Sequence, residues 1–226
     1  MLEVIGMSVE DCIAIEKAGA DRIELVSSLT EGGLTPSAGM IEQCYEAVSI
    51  PIRVKIRPHS RNFYYSPYDV EVMKYDIEMV KSIGCEGVTF GVLDENGLIH
   101  RKALECLLKV SEGLEVTFDQ AFDKLLDLES GLEQLLSYSA IKTILTSGGA
   151  GPIEQRVLLL HRLIKKADNQ LEILVGGDVN EQHIQVLIKE SKVVAFQMGR
   201  MAREKMAPNG PISIERIQQF NKQVLW

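Results

Sequence analysis

LEVIGMSVEDCIAIEKAGADRIELV, residues 2–26, decides the fold. A short apolar run, LEVIG (2–6), gives way to SVEDCIAIEKAG (8–19), whose apolar residues recur at helical spacing. Ser8 suits an N-cap and Gly19 the position just past a helix end. DRIELV (21–26) then alternates apolar and polar residues, the period of a strand. Strand, helix, strand in this order means parallel strands joined by right-handed crossovers.

The same unit recurs along the chain. Further strands are expected at IRVKIRP (52–58), GVTFGV (87–92), LEVTFD (114–119), KTILTSG (142–148), LEILVGG (171–177) and VVAFQMG (193–199), with amphipathic helical patterns between them. Pro36 and Pro152 suit first-turn helix positions. Eight such units close naturally into a (β/α)8 TIM barrel. An open doubly wound sheet is the alternative. No GxGxxG follows an early strand, and the last unit carries its own C-terminal helix, so the barrel is preferred. No linker or low-complexity stretch interrupts the pattern, which predicts a single domain over residues 1–226.

Composition narrows the function classes. The chain has 226 residues, 46% hydrophobic and 25% charged, with a formal net charge of −8. An acidic chain without a basic run is not expected to bind nucleic acid, which is held by clustered Lys and Arg. No segment approaches the roughly 18 apolar residues of a membrane span, and no signal peptide is visible. A soluble, intracellular protein is expected, and a homo-oligomer is compatible with the sequence. The four cysteines, Cys12, Cys44, Cys85 and Cys106, form no CxxC pair. They read as buried free thiols.

Strand alternation points to an unusual interior. Leu2 and Val4 oppose Glu3; Ile23 and Leu25 oppose Arg22 and Glu24. Ile52, Val54 and Ile56 oppose Arg53, Lys55 and Arg57; Val116 and Phe118 oppose Glu115, Thr117 and Asp119. If the apolar phase faces the helices, the charged phase fills the barrel. Buried charges cost several kcal/mol unless paired, so internal ion pairs are required, such as Glu3 or Glu24 with Lys55 or Arg57. Such a lumen is either a structural network or a polar pocket with acid–base groups.

Barrel sites lie at the C-terminal ends of the strands. Those ends carry Gly6, Ser27, Arg57, Asp119, Asp123, Asp178 and Gln197. Glu3, Glu24, Arg57, Asp119 and Asp123 are the candidate catalytic residues. An anion site is expected from Arg57, Thr146, Ser147, Gly148, Gly176, Gly177, Gly199 and Arg200, because glycine turns let backbone N–H groups approach an anion and arginine adds charge. The same glycines also serve simple turn geometry. Lys55 is in place for a Schiff base. The aromatic loop 62–66 is long enough for a lid over the mouth. For a metal, only His59 is well placed among the histidines; Met7, Met198 and Met201 are the thioether candidates.

ADRIELVSSLTEGGLTPSAG, PIRVKIRP with FYYSPYDVEVMKYDI, GVTFGVLDENGLI, EVTFDQAFD and TILTSGG resemble the CutC copper-homeostasis family, in that order and over nearly the whole chain. The resemblance implies a barrel, a cytoplasmic location and copper binding, with copper as the cofactor or cargo. It also implies soft ligands that this chain lacks. Ile5 and Val26 stand where family members carry cysteines. Asp119 opens the segment usually read HRAFD, and Gln197 replaces a usual histidine. Two functions follow: a CutC-like protein of copper homeostasis, or a barrel enzyme or binding protein acting on a small anionic or phosphorylated metabolite.

Overall fold

A computed structural model describes residues 1–177 and 181–224. Asp178, expected at the end of a strand, lies outside the described residues. Eight parallel strands close in sequence order: β1 (Leu2–Gly6), β2 (Arg22–Leu25), β3 (Ile52–Lys55), β4 (Gly87–Phe90), β5 (Glu115–Phe118), β6 (Ile141–Thr146), β7 (Glu172–Val175) and β8 (Phe196–Met198). β1 pairs with β8, Glu3 opposite Gln197 and Val4 opposite Met198, which excludes the open sheet. Helices α1 (Val9–Lys17), α2 (Ala38–Ala47), α3 (Pro67–Ile83), α4 (Arg101–Val110), α5 (Leu128–Leu136), α6 (Ile153–Ala167), α7 (Glu181–Ser191) and α8 (Ile214–Val224) alternate with the strands. No described helix is long and apolar enough to cross a membrane.

The local signals act as their chemistry dictates. Ser8 caps α1 by accepting from the Asp11 amide, and Gly19 follows the helix with φ +84°, the left-handed conformation that glycine adopts without a steric penalty. The two prolines fall outside the first turns expected for them. Pro36 precedes the cap, which is Ser37, and Pro152 is itself the capping residue of α6. Pro67 takes the first-turn position instead, behind a capping box of Ser66 and Asp69.

The apolar strand phase, including Val4, Ile23, Val54, Val88 and Phe118, packs in one buried shell with helix residues such as Ile15, Ile41, Ile77 and Leu104. The polar phase turns inward: Glu3, Glu24, Arg53, Lys55, Thr117, Asp119 and Gln197 are all buried. The interior is lopsided. β6, β7 and the stretch before β8 contribute Leu145, Leu174 and Ala195, an apolar cluster separate from the outer shell. The charges come mainly from the first five strands.

At the N-terminal end of the strands the charges are fully engaged. Arg22 Nε donates to Glu3 at 2.5 Å and its Nη2 to Glu172 at 3.0 Å. Arg53 donates to Glu115, to Thr117 at 2.5 Å and to Thr143 at 2.7 Å. Gly87 is required beside it, because a Cβ there would strike the Glu115 carbonyl and the Arg53 stem.

The barrel seam is locked from outside by Arg203, among the largest fully buried side chains. It donates to Asp11 at 2.7 Å, to the Ile5 carbonyl at 3.2 Å and to the Gly210 carbonyl at 2.7 Å. One side chain thus joins the end of β1, the start of α1 and the loop after β8. Arg203→Met should destabilise the protein by about 3–5 kcal/mol, because it strands the Asp11 carboxylate without its partner. Urea unfolding measures this, and a loss below about 1 kcal/mol would show the seam held by packing alone.

Candidate functional site

A cavity of about 650 Å³ opens at the C-terminal end of the strands. Glu24, Lys55, Leu145 and Gln197 reach it from inside the barrel. Leu29, Thr30 and Gly32 line it from the β2–α2 loop, Gln120 from beyond β5 and Gly177 from beyond β7. Arg200, Met201, Met206 and Pro208 line it from the β8–α8 loop.

The floor is a set of coupled charges. Lys55 Nζ lies 2.8 Å from Asp119 Oδ2 and 3.9 Å from Glu24 Oε1. Gln197 Nε2 donates to Glu24 Oε2 at 2.9 Å and to Glu3 Oε1 at 2.7 Å. Glu24 Oε1 itself is buried without a hydrogen-bond partner. Burial pushes the Glu24 carboxyl up to about 7; the Lys55 charge pulls it down, and the charges of Glu3 and Asp119 push it further up. A carboxyl that titrates near neutrality, facing an amine in a cavity, is suited to proton transfer.

The remaining expected residues divide between the cavity and its supports. Glu3 lies below the floor, bonded to Arg22 and Gln197, outside the cavity lining. Asp119, besides holding Lys55, accepts from the Ala121 amide at 2.9 Å. A side chain at Gly91 would collide with both residues. Asp123 accepts from the Thr146 hydroxyl and from the Ser147 amide at 2.7 Å, while the Gly148 amide donates to Thr146 Oγ1 at 3.0 Å. The Ser147 amide expected to meet an anion is therefore held by Asp123 from beyond β5, and the Gly148 amide by Thr146 at the end of β6. Arg156 holds the Ser147 carbonyl at 2.7 Å, and Gly148 has φ +85°, so turn geometry accounts for this glycine.

Gly176 lies where β7 approaches β8: a Cβ there would come within 2.9 Å of Gln197 and of Leu145. Gly177, Gly199 and Arg200 do line the cavity. Arg57 does not. Its guanidinium donates to the carbonyls of Glu31, Gly32 and Ser60 and lies 4.7 Å over the Phe63 ring. Its role is to brace the β2–α2 loop. The aromatic loop 62–66 bridges to Leu93 through Tyr64, beside the mouth, and contributes no residue to the cavity. The cover comes instead from Leu29–Thr30 and from Met206 and Pro208. The signal for them in the sequence is the length of SSLTEGGLTPS and GRMAREKMAPNGPIS.

The donor set does not suit a soft metal. Among the described residues, no group of three or more His, Cys, Asp or Glu could hold a metal ion. His59 packs on Tyr65 with its Nε2 3.7 Å from Asp69, off the cavity lining. Met198 belongs to the outer shell and Met7 is half-buried beside α1. Among the described residues, Met201 and Met206 alone bring thioethers to the cavity. Of the positions where the resemblance implies soft ligands, Ile5 and Gln197 line the cavity and Asp119 is paired with Lys55. Cys12, Cys44 and Cys85 are buried, whereas Cys106, expected to be buried, is exposed on α4. The hydrogen bond that Cys12 shares with Cys44, followed by burial, pushes the Cys12 thiol far above the ordinary range, and the same bond lowers that of Cys44.

Comparison with known proteins places this geometry among relatives. The CutC family model matches residues 1–199. A Bacteroides fragilis family protein CutC is 40% identical over 207 residues, 91% of this chain and 81% of its own length. The human copper homeostasis protein cutC homolog is 38% identical over 196 residues, 87% of this chain and 71% of its own. The crystal structure of a CutC from Streptococcus agalactiae superposes with a TM-score of 0.81 at 29% identity, covering 87% of this chain and 97% of that one.

Glu24 gives the site a pH signature. Its folded pKa of about 7 lies above the 4.5 of an ordinary glutamate, so the native state holds a proton that the unfolded chain releases. The resulting stability is full below pH 4.5 and is lost as pH rises through 7. Glu24→Gln lacks this loss and should gain on the order of 2 kcal/mol over the parent between pH 5 and pH 8. Urea unfolding at both pH values tests it; parallel profiles for the two proteins would place the carboxyl in the ordinary range.

Proposed function

The chain belongs to the CutC family, and from that membership we propose that it serves copper homeostasis in the cytoplasm through a small anionic metabolite held at the barrel mouth, not through a copper ion ligated there. The human relative carries the name of a copper homeostasis protein, which supports the first half of this reading. Buried free thiols suit a reducing compartment.

One observation carries the second half: a buried floor of Glu24, Lys55 and Gln197 beneath a cavity without thiolate or imidazole among its described lining residues. A cuprous ion seeks several thiolate, thioether or imidazole donors, and the described lining offers the thioethers of Met201 and Met206 alone. The floor offers an ammonium, a carboxyl and an amide, which recognise oxygen and nitrogen groups. The ligand's neutral polar end meets Lys55 and Glu24, where a full negative charge would face Asp119. Its anionic end meets Arg200, the exposed cation on the rim.

Two titrations decide between the readings. Inorganic phosphate and a panel of small phosphorylated and carboxylated compounds should raise the melting temperature, since a ligand of the native state stabilises it. Arg200→Ala should weaken the best of them by roughly tenfold, the effect of one charge-assisted contact. Cuprous ion competed against a chelator should show no tight stoichiometric site. Tight copper binding with no thermal shift across the anion panel would overturn the proposal in favour of direct copper ligation.

A further inference from the structure

We infer that Lys55 is a nucleophile that forms a Schiff base with a small carbonyl compound bearing an anionic group, with Asp119 and Glu24 moving the protons. This rests on the mouth being a metabolite pocket, as proposed above, and names the class of compound it takes.

The inference starts from a contrast between two cations on one strand. Arg53 and Lys55 both point from β3 into the barrel, two residues apart and both buried. Arg53 behaves as a structural charge: it donates to Glu115, Thr117 and Thr143 and stays off the cavity lining. Lys55 makes one short contact, to Asp119 at 2.8 Å, while Glu24 stands off at 3.9 Å, beyond hydrogen-bond reach. An ammonium has three N–H donors. A lysine that only neutralised the lumen would be closed in, whereas this one borders a cavity of about 650 Å³.

The surroundings hold a place for an oxygen atom. Glu24 Oε1, the atom 3.9 Å from Nζ, is buried and unpartnered. So is Thr89 Oγ1, on the residue that pairs with Lys55 in the β3–β4 register. Buried polar atoms normally have partners, and their absence here needs an explanation. A carbonyl oxygen that enters between the amine and Glu24 supplies one. Lysine is the side chain for this chemistry, being a compact amine that can release its proton, which arginine does not do.

The step balances within the three residues. Asp119 takes a proton from the Lys55 ammonium, and the free amine attacks the carbonyl carbon. A C–N bond forms as the carbon–oxygen π bond breaks. The oxygen takes a proton from Glu24, and the new ammonium nitrogen returns one to Glu24. The resulting hydroxyl takes the proton held by Asp119 and leaves as water, with the nitrogen lone pair closing the C=N bond. Ammonium plus carbonyl gives iminium plus water, and both carboxyls end as they began. No oxidant, metal or further reactant is needed.

The test uses the unmodified protein. It is incubated separately with pyruvate, glyoxylate and glycolaldehyde phosphate, reduced with borohydride, and mapped by peptide mass spectrometry. At least one compound should give an adduct at Lys55 with roughly tenfold or more the occupancy of the exposed Lys102, and Glu24→Gln should slow trapping by about a hundredfold, the scale of general acid catalysis. Adducts spread over exposed lysines with none at Lys55 would overturn the inference. Equal trapping rates in the parent and a folded Glu24→Gln protein would overturn the proton role of Glu24. A thermal shift with no Lys55 adduct defeats the covalent step and leaves the pocket standing, whereas the absence of both defeats the pocket as well.

Discussion

The Lys55–Asp119 pair, 2.8 Å apart inside the barrel, sets the terms for everything around it. A charge in such a place is tolerated only with its counter-charge in contact. Lys55 arrives from β3 and Asp119 from the end of β5, on opposite sides of β4, so the pair ties β3 to β5 across β4. Gly91 follows from it, since a side chain at that position would displace the Asp119 carboxylate. Glu24 follows too: its proton affinity reflects both its burial and the neighbouring charges. Remove the pair and the floor of the cavity loses its shape and its electrostatics together.

Much of this was legible in the sequence, because a strand writes its two faces alternately. The alternation of Arg53, Val54 and Lys55, or of Glu115, Val116 and Thr117, by itself puts the polar phase inside. The choice between a structural network and a pocket was not legible. Both exist, stacked along the barrel axis: Arg22, Arg53, Glu115 and Glu172 form the sealed end, and Glu24, Lys55 and Gln197 the open one. Depth in the barrel decides between them, and alternation reports the face without the depth.

Loops are less legible, for a physical reason that recurs. A glycine turn is written the same way whether its amides face an anion or a side chain of the same protein. At Ser147 the deciding residue is Asp123, more than twenty positions earlier, and only tertiary contact brings it there. Arg57 shares the inward phase of Lys55, but β3 ends before it, and its guanidinium reaches sideways to carbonyls that the sequence cannot announce. Cys106 differs: the helical spacing of Ala103, Leu104 and Leu107 already leaves it on the solvent side of α4, against the usual preference of cysteine for burial.

The Arg203 lock has a bearing on how the chain reaches this structure. Its partner Asp11 lies 192 residues away along the chain, and β1 waits for β8 over nearly the same separation. On a ribosome, the first strand therefore leaves the exit with one hydrogen-bonding edge bare, and it stays bare until β8 has emerged. Contacts this distant in sequence form late and slowly. The open seam is then a point where a nascent chain is vulnerable to aggregation, and the arrival of β8 is what closes it.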